Sequence, residues 1–469
     1  MTRSTKVRRF IRQRRWAAYV LLLGSSFASS CAWGQSLETL FLQAVQSDPT
    51  YLGVQTGLGA AEARRGQARA ALLPQITANL SSNDNQREYK TKTGQIPTLN
   101  DGYNNNTAQI TLTQPVWRHA NIIGLHQSAS GLQQAQHQFS QAEQELFIRL
   151  TTAWFELLAA RDAVWSQGLM VQAQYITWRS MLRGSEQGLV GAPQAEEARS
   201  KFEMAQAEHT AAESDFHLKQ AALEQILGAW PDTQKLPQLA SDYKPAAMEP
   251  SRLDDWLALV DTRNPALLAA MASFNVSADE VRKQRAGHEP TLDLQASYGK
   301  NSQQIGGFPG QAGYDIKTAT IGLQLQLPIY SGGAQTARVD EAVAQKEKAR
   351  HEMESARRNS ILAAKQAWYG WLAARAKLSA GEQAVRAGLI QIKAAMRGVS
   401  QEIKTEADER QAEANWASAV RDWRKAAYDE ILTRLKLKAA AGLVAQDVLR
   451  EIDSRFQIEM SVKPPQQEG

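Results

Sequence analysis

The stretch SQAEQELFIRLTTAWFELLAARDAV, residues 140–164, carries Leu146, Leu150, Ala153, Leu157, Ala160 and Val164 at steps of 4, 3, 4, 3 and 4. That spacing is an a/d seam of period 3.5, which predicts a helix lying against other helices. At an offset of 214 residues, Trp154-Phe155-x-x-Leu158-Ala-Ala-Arg161 returns as Trp368-Tyr369-x-x-Leu372-Ala-Ala-Arg375, and a seam returns as Ala364, Ala367, Trp371, Ala374 and Leu378. The chain contains the same long helix twice.

Further landmarks repeat in the same order. Asp48-Pro49 matches Asn264-Pro265 and Pro74 matches Pro290 at an offset of 216, Pro115 matches Pro328 at 213, and Arg183-Gly184 and Gly228 match Arg397-Gly398 and Gly442 at 214. So small a drift points to duplication, and each copy is too long to be one unit of a solenoid. The expected halves are 35–230 and 252–445, joined by a Pro-bearing linker, 231–251, and followed by a tail, 446–469. They need not be independent domains.

Each half predicts helix, strand, strand, long helix, helix. Expected strands lie at about 74–90, 104–116, 289–299 and 316–330, long helices at 120–182 and 334–396, and second helices at 193–228 and 404–441. The stretches after Pro115 and Pro328 lack proline and are rich in Ala, Gln, Glu and Arg, all good helix formers. A helix over 335–396 would be roughly 90 Å long, which calls for a coiled or tubular architecture.

Before the long helices the period changes to 2. Ile76, Ala78 and Leu80 alternate with Thr77, Asn79 and Ser81, and Ala108, Ile110 and Leu112 with Gln109, Thr111 and Thr113. In the second half Leu292, Leu294, Ala296 and Tyr298 alternate with polar residues, as do Ile321, Leu323, Leu325, Leu327 and Ile329. Polar connections are expected at 83–106 and 299–315. Such strands fit a water-soluble sandwich or a transmembrane barrel. Four strands cannot close a barrel, since small closed examples use about eight, so a barrel would be shared between chains. Trp117 and Tyr330, where strand gives way to helix, suit an interfacial aromatic belt or a core at a domain junction.

Composition adds limits. The formal charge of +5 on 469 residues comes from the first 34, which hold seven Arg/Lys and no acid; the remainder has 46 basic against 48 acidic residues, so no nucleic-acid partner is implied. Arg3 to Arg15, an apolar middle with Leu21-Leu22-Leu23, and Ala32-x-Gly34 read as an export signal over 1–34, with a basic amphipathic or anchor helix as the alternative. The one cysteine, Cys31, would leave with that signal; Ala28-Ser29-Ser30 is a poor context for its lipidation. Past the signal no apolar run approaches the roughly 20 residues of a membrane-spanning helix.

The duplicated strand pairs, Thr113-Gln-Pro-Val-Trp117 and Leu327-Pro-Ile-Tyr330 leading into very long helices, and the Gly188-Leu-Val-Gly191 turn together resemble the TolC-like family of outer-membrane channel tunnels, over about 36–450. The resemblance implies a mainly α fold with a small transmembrane β part. It implies a homotrimer in outer-membrane lipid, with a twelve-stranded barrel, a periplasmic α-helical tunnel and a mixed α/β belt. The implied partners are a periplasmic adaptor and an inner-membrane ABC or proton-driven transporter. In such a protein the turns 183–194 and 397–411 form the periplasmic tip. By this likeness Asp408 and Lys404 match an acidic and a basic position at the tunnel entrance, Gln411 replaces a second acid, and Gln194 stands where some members have an acidic partner. Gly188, Leu189, Val190, Gln401 and Glu402 fall at the adaptor-contacting tips, with Gln401-Glu402 in place of the usual Gly. A ring of Asp408 would favour cations; the plainer reading makes Asp408 a helix first-turn carboxylate.

Enzyme chemistry finds no foothold. The seven His form no metal-ligand motif, with His119, His126 and His137 in a Gln-rich helix, and Gly57-Leu-Gly59 and Gly306-Gly307 lack a phosphate-loop fingerprint, so no cofactor is expected. Three functions stay open: the exit duct of a type I secretion system, the outlet of a drug or metal efflux pump, and a periplasmic adaptor or coiled-coil protein without a pore. The third would not need paired amphipathic strands.

Overall fold

The computed structural model describes residues 36–90, 92, 99–231, 236–306, 310–444 and 446–457. The expected signal and Cys31 lie outside the described residues. The first half runs α1 (Leu37–Ser47), α2 (Pro49–Ala70), β1 (Gln75–Tyr89), β2 (Leu99–Trp117), α3 (His119–Glu186) and α4 (Ala192–Leu227). After a short strand, β3 (Gln238–Leu239), the series returns as α5 (Leu253–Arg263), α6 (Pro265–Arg285), β4 (Thr291–Ile305), β5 (Ala312–Gln326), α7 (Ala334–Ser400) and α8 (Glu406–Ala440). α9 (Gln446–Asp453) and β6 (Phe456–Gln457) follow.

The helix before each strand pair is broken in two at the repeated Pro. Asp48 Oδ1 accepts from the Tyr51 amide at 2.7 Å, Asn264 Oδ1 accepts from that of Leu267 at 2.9 Å, and Pro49 and Pro265 open the helices that follow. Proline at that position loses no hydrogen bond, and it keeps the residue before it extended, which ends the preceding helix while that residue's side chain caps the next. The long helices α3 and α7 have 68 and 67 residues, about 100 Å each. In α7 all five seam residues are buried; in α3 Leu146, Leu150, Leu157 and Ala160 are buried while Ala153 and Val164 are partly exposed.

The strands form one antiparallel sheet in the order β1-β2-β4-β5. Its register sets Ile76, Leu112, Ala296 and Ile321 in one row, Ala78, Ile110, Tyr298 and Ala319 in the next, and Leu80, Ala108, Lys300 and Lys317 in the one beyond. Directly paired residues share a face, so the apolar alternates of all four strands lie on one side. The opposite face holds Thr77, Thr111, Ser297 and Thr320, then Asn79, Gln109, Gly299 and Thr318. Ser297 and Thr320 share a hydrogen bond of 2.7 Å there.

Two expectations about the strands are corrected. Most of the supposed polar connections is strand: β1 pairs with β2 as far as Tyr89 opposite Leu99, and β4 with β5 as far as Ile305 opposite Ala312. Main-chain hydrogen bonds hold a ladder whatever its side chains, so polar residues did not end it. Conversely, β5 stops at Gln326 and Leu327–Tyr330 leaves the ladder. Pro328 has no N–H to donate there. Its counterpart Pro115 stays in β2, at a bulge that sets Trp117 opposite Leu292.

The halves share one body. β2 pairs with β4, and α3 packs on both α6 and α8. Beside the sheet the helices are ordered α2-α3-α6-α7, and toward the far end α4-α3-α8-α7. Among the described residues these two layers each end in two flanks, one from each half, while midway α1 packs on α4 and α5 on α7. Midway, Leu150, Trp154, Phe155 and Leu158 of α3 join Tyr428, Ile431 and Leu435 of α8 in the main core, with α1, α9, β3 and β6 around it. β3 pairs with β6, and Asp453 accepts from the Leu37 and Glu38 amides at 2.8 and 3.1 Å, so the two ends of the described chain meet in this belt.

Candidate functional site

The far ends of the long helices are two turns with one backbone design. In the first, the amides of Leu189 and Val190 donate to Gly184 O at 2.8 and 3.2 Å; in the second, those of Ile403 and Lys404 donate to Gly398 O at 2.8 and 3.0 Å. A Cβ on Gly184 would lie 2.9 Å from Val190 Cγ2, and one on Gly398 would lie 2.8 Å from Lys404 Cγ, so a side chain at either position would have to displace its neighbour. Each turn then passes through the left-handed region, at Gly188 with φ +71° and at Glu402 with φ +57°. Glycine takes that conformation freely; glutamate does so at a cost of about 1 kcal/mol. Gln401, the residue before Glu402, is exposed and caps α7.

The two turns close differently. Thr405 and Asp408 form a capping box: the Asp408 amide donates to Thr405 Oγ1 at 3.3 Å, while Asp408 Oδ2 accepts from the Thr405 amide at 2.9 Å and from its hydroxyl at 2.8 Å. These bonds, first the one from the Thr405 backbone, hold the Asp408 carboxyl below its ordinary value, with Lys404 adding a weaker attraction. Asp408 therefore has a local task, stays charged and remains exposed. In the first turn Gly191 and Gln194 occupy the equivalent places, and only the Gln194 amide to Gly191 O, at 3.1 Å, remains.

Gln411 stands apart from this group. Its Oε1 accepts from Gln174 Nε2 at 3.0 Å and its Nε2 donates to Asn415 Oδ1 at 3.0 Å, which lays it against α3. Leu189 and Ile403 are 77% and 75% exposed, so each tip presents one apolar knuckle. Ile403 and Thr405 escaped the sequence reading, although Thr405-x-x-Asp408 before a helix is a legible capping signature.

At the other end, Trp117 shares a row with Leu292 and Leu325 on the apolar face and is 48% exposed; Tyr330 follows β5 and is 87% exposed. Arg118 and His119 pair with Asp293 at 2.6 Å and Glu289 at 2.7 Å, joining the start of α3 to the second half. From Lys317 to Leu325 the apolar face covers roughly 27 Å of strand, or about 20 Å of height at barrel tilt, close to the band of a transmembrane barrel. No described helix is long and apolar enough to cross a membrane, and among the described residues no group of His, Cys, Asp and Glu could hold a metal.

A buried ionic cluster locks the middle. Asp162, 2% exposed, accepts from Arg161 at 2.9 Å, Arg424 at 3.0 Å and the Tyr428 hydroxyl at 3.2 Å, while Arg161 and Arg424 also bind Leu236 O, Pro237 O and Gln238 of the linker. Burial and the Asp162 charge push the Tyr428 hydroxyl far up. Sequence pattern could not find this cluster, because Arg161 and Asp162 sit beside the seam like any charged helix pair.

The sequence pattern of the outer membrane efflux protein family matches residues 40–229 and 256–443, one match per half. The chain is 25% identical over 434 residues to the outer membrane protein TolC of Vibrio cholerae, covering 92% of this chain and 96% of that one. It is 26% identical over 398 residues to the proteases secretion protein PrtF of Dickeya chrysanthemi, covering 83% and 84%. Its fold matches the crystal structure of the Campylobacter jejuni CmeC outer membrane channel with a TM-score of 0.71 at 15% identity, covering 89% of each chain. Two strand pairs, two long helical hairpins and a belt that ties the chain ends are thus the architecture of a tunnel-bearing outer-membrane channel without enzymatic activity, and the chain belongs to the outer membrane efflux protein family.

Proposed function

We propose that three copies of this chain close a twelve-stranded barrel in the outer membrane and serve as the exit duct of a type I secretion system, fed by an inner-membrane ABC transporter through a periplasmic adaptor. The likeness to a protease secretion protein over more than four-fifths of both chains carries the choice of cargo class. Closure is supported by the flanks left open in the sheet and in the helical layers above and below the belt, β1 and β5, α2 and α7, α4 and α7. Exposed Met204 and Leu218 on α4, with Leu362, Tyr369, Leu372 and Ile390 on α7, would then be covered by neighbouring copies. The apolar face with Trp117 and Tyr330 meets lipid, and the face rich in Thr, Ser, Asn and Gln lines the pore. At the tip, three Asp408 carboxylates ring the entrance with Lys404 beside them, and Gly188, Leu189, Val190, Gln401 and Glu402 meet the adaptor.

The family's own description favours a second reading, the outlet of a drug or metal efflux pump. Deleting the gene separates them. Loss of one or a few large proteins from the culture supernatant, with unchanged sensitivity to dyes, detergents and metals, is expected. Intact secretion with heightened sensitivity would make the chain an efflux outlet.

A further inference from the structure

Lys300 and Lys317 are directly paired across β4 and β5, on the apolar face, in the row with Leu80 and Ala108. The row before it, toward the helices, is Ala78, Ile110, Tyr298 and Ala319, with Tyr298 exposed; the row after is Ser82, Asn106, Ser302 and Asp315. The lysines thus mark the end of the apolar band nearest the hairpin tips. Two like charges directly opposed on a sheet repel each other. Asp315 relieves this in part, with its carboxylate 2.9 Å from Lys300 Nζ. No carboxylate among the described residues lies within ion-pair distance of Lys317, although Asp315 also attracts it.

We propose that Lys300 and Lys317 form a binding site for the phosphate groups of anionic lipid headgroups, one site per copy around the barrel. This rests on the barrel reading above. With the helices in the periplasm, the hairpin tips face outward, so the site lies at the outer leaflet. Lysine stems cover the last apolar residues while the ammonium groups reach the headgroup level, where an anion bridges both charges. Tyr298, one row deeper, sits at the depth suited to an amphipathic aromatic. The charge left over after the Lys300–Asp315 pair makes Lys317 the stronger contributor.

The test uses the full-length oligomer reconstituted in vesicles, with lipid retained after detergent extraction read by mass spectrometry. Phosphatidylglycerol and a bisphosphorylated glycolipid are compared with phosphatidylcholine. The unaltered protein is expected to retain both anionic lipids preferentially. Lys317→Gln should lower that retention roughly fivefold and Lys300→Gln less, the double variant should abolish the preference, and Lys300→Arg with Lys317→Arg should keep it. The heat-sensitive gel mobility of the oligomer verifies folding of each variant. Retention indifferent to the double variant in a protein that inserts overturns this inference alone. Displacement of the lipid by millimolar inorganic phosphate would leave a bare anion site and overturn the assignment to lipid. A chain that does not insert overturns the barrel reading, and this inference with it.

Discussion

The two helical hairpins, α3–α4 and α7–α8, have nearly equal lengths and the same turn, yet they end in different chemistry. The first tip is neutral, with Gly188 in the left-handed position and Gln194 after it; the second has Glu402 in that position, then Thr405 and Asp408 locked in a capping box. Duplication kept the backbone and freed the side chains. One tip became an elbow whose Arg183 and Glu186 cancel, and the other an acid-rich, internally braced one. An exposed capping carboxylate is thus found on only one of the two equivalent turns.

The largest expected effect concerns what couples the hairpins. Arg424→Met leaves the buried Asp162 of α3 with less compensation and should lower stability by about 3 kcal/mol, read as an earlier thermal transition of the protein. An unchanged transition would mean that the cluster does not join the hairpins. Next come two changes of opposite sign at the equivalent turn positions. Gly188→Ala should destabilise by about 1 kcal/mol, whereas Glu402→Gly should stabilise by a similar or smaller amount, because only the second relieves a left-handed non-glycine residue. Effects of the same sign in thermal unfolding would show that the turns are not equivalent. Thr405→Ala should cost up to about 1 kcal/mol and increase amide exchange in the first turn of α8, with no counterpart for Gly191→Ala beyond the local crowding of Gln194.

Acidity tests the same asymmetry. The Asp408 carboxyl titrates below its ordinary value in the folded chain, so its contribution is complete above the unfolded value of about 3.9 and is lost as pH falls through the folded one. Order in the capped first turn of α8 should persist at pH 5 and decline only below about pH 4, while the first turn of α4, with Gly191 and Gln194 in the cap positions, has no cap carboxylate to lose; its nearest lowered carboxyl, Glu197 paired with Lys201, lies a turn further in. Amide exchange across that range distinguishes the two.

Much of this was legible beforehand where a period was imposed by burial. The 3.5 seam of Ala364 to Leu378 is dictated by one covered face, the alternation of Ile321 to Leu325 gathers apolar side chains on one exposed face of the sheet, and the matched prolines and glycines mark turns that backbone sterics fix. What lacked such a constraint was hidden. The outer parts of β1 and β2 are polar on both faces, so alternation could not reveal a ladder held by main-chain bonds. Leu327 and Ile329 keep the alternation but leave the ladder, because Pro328 removes a donor. At the tip, alignment alone set Gln411 beside Asp408, whereas its amide is engaged with Gln174 of α3.

The most direct measurement is the cation-to-anion permeability ratio of the reconstituted channel for Asp408→Asn beside Gln194→Ala. A ring of carboxylates at the second tip predicts a ratio that falls roughly threefold or more with Asp408→Asn and holds with Gln194→Ala. Equal responses, or none from either, would contradict a charged entrance built on the second hairpin.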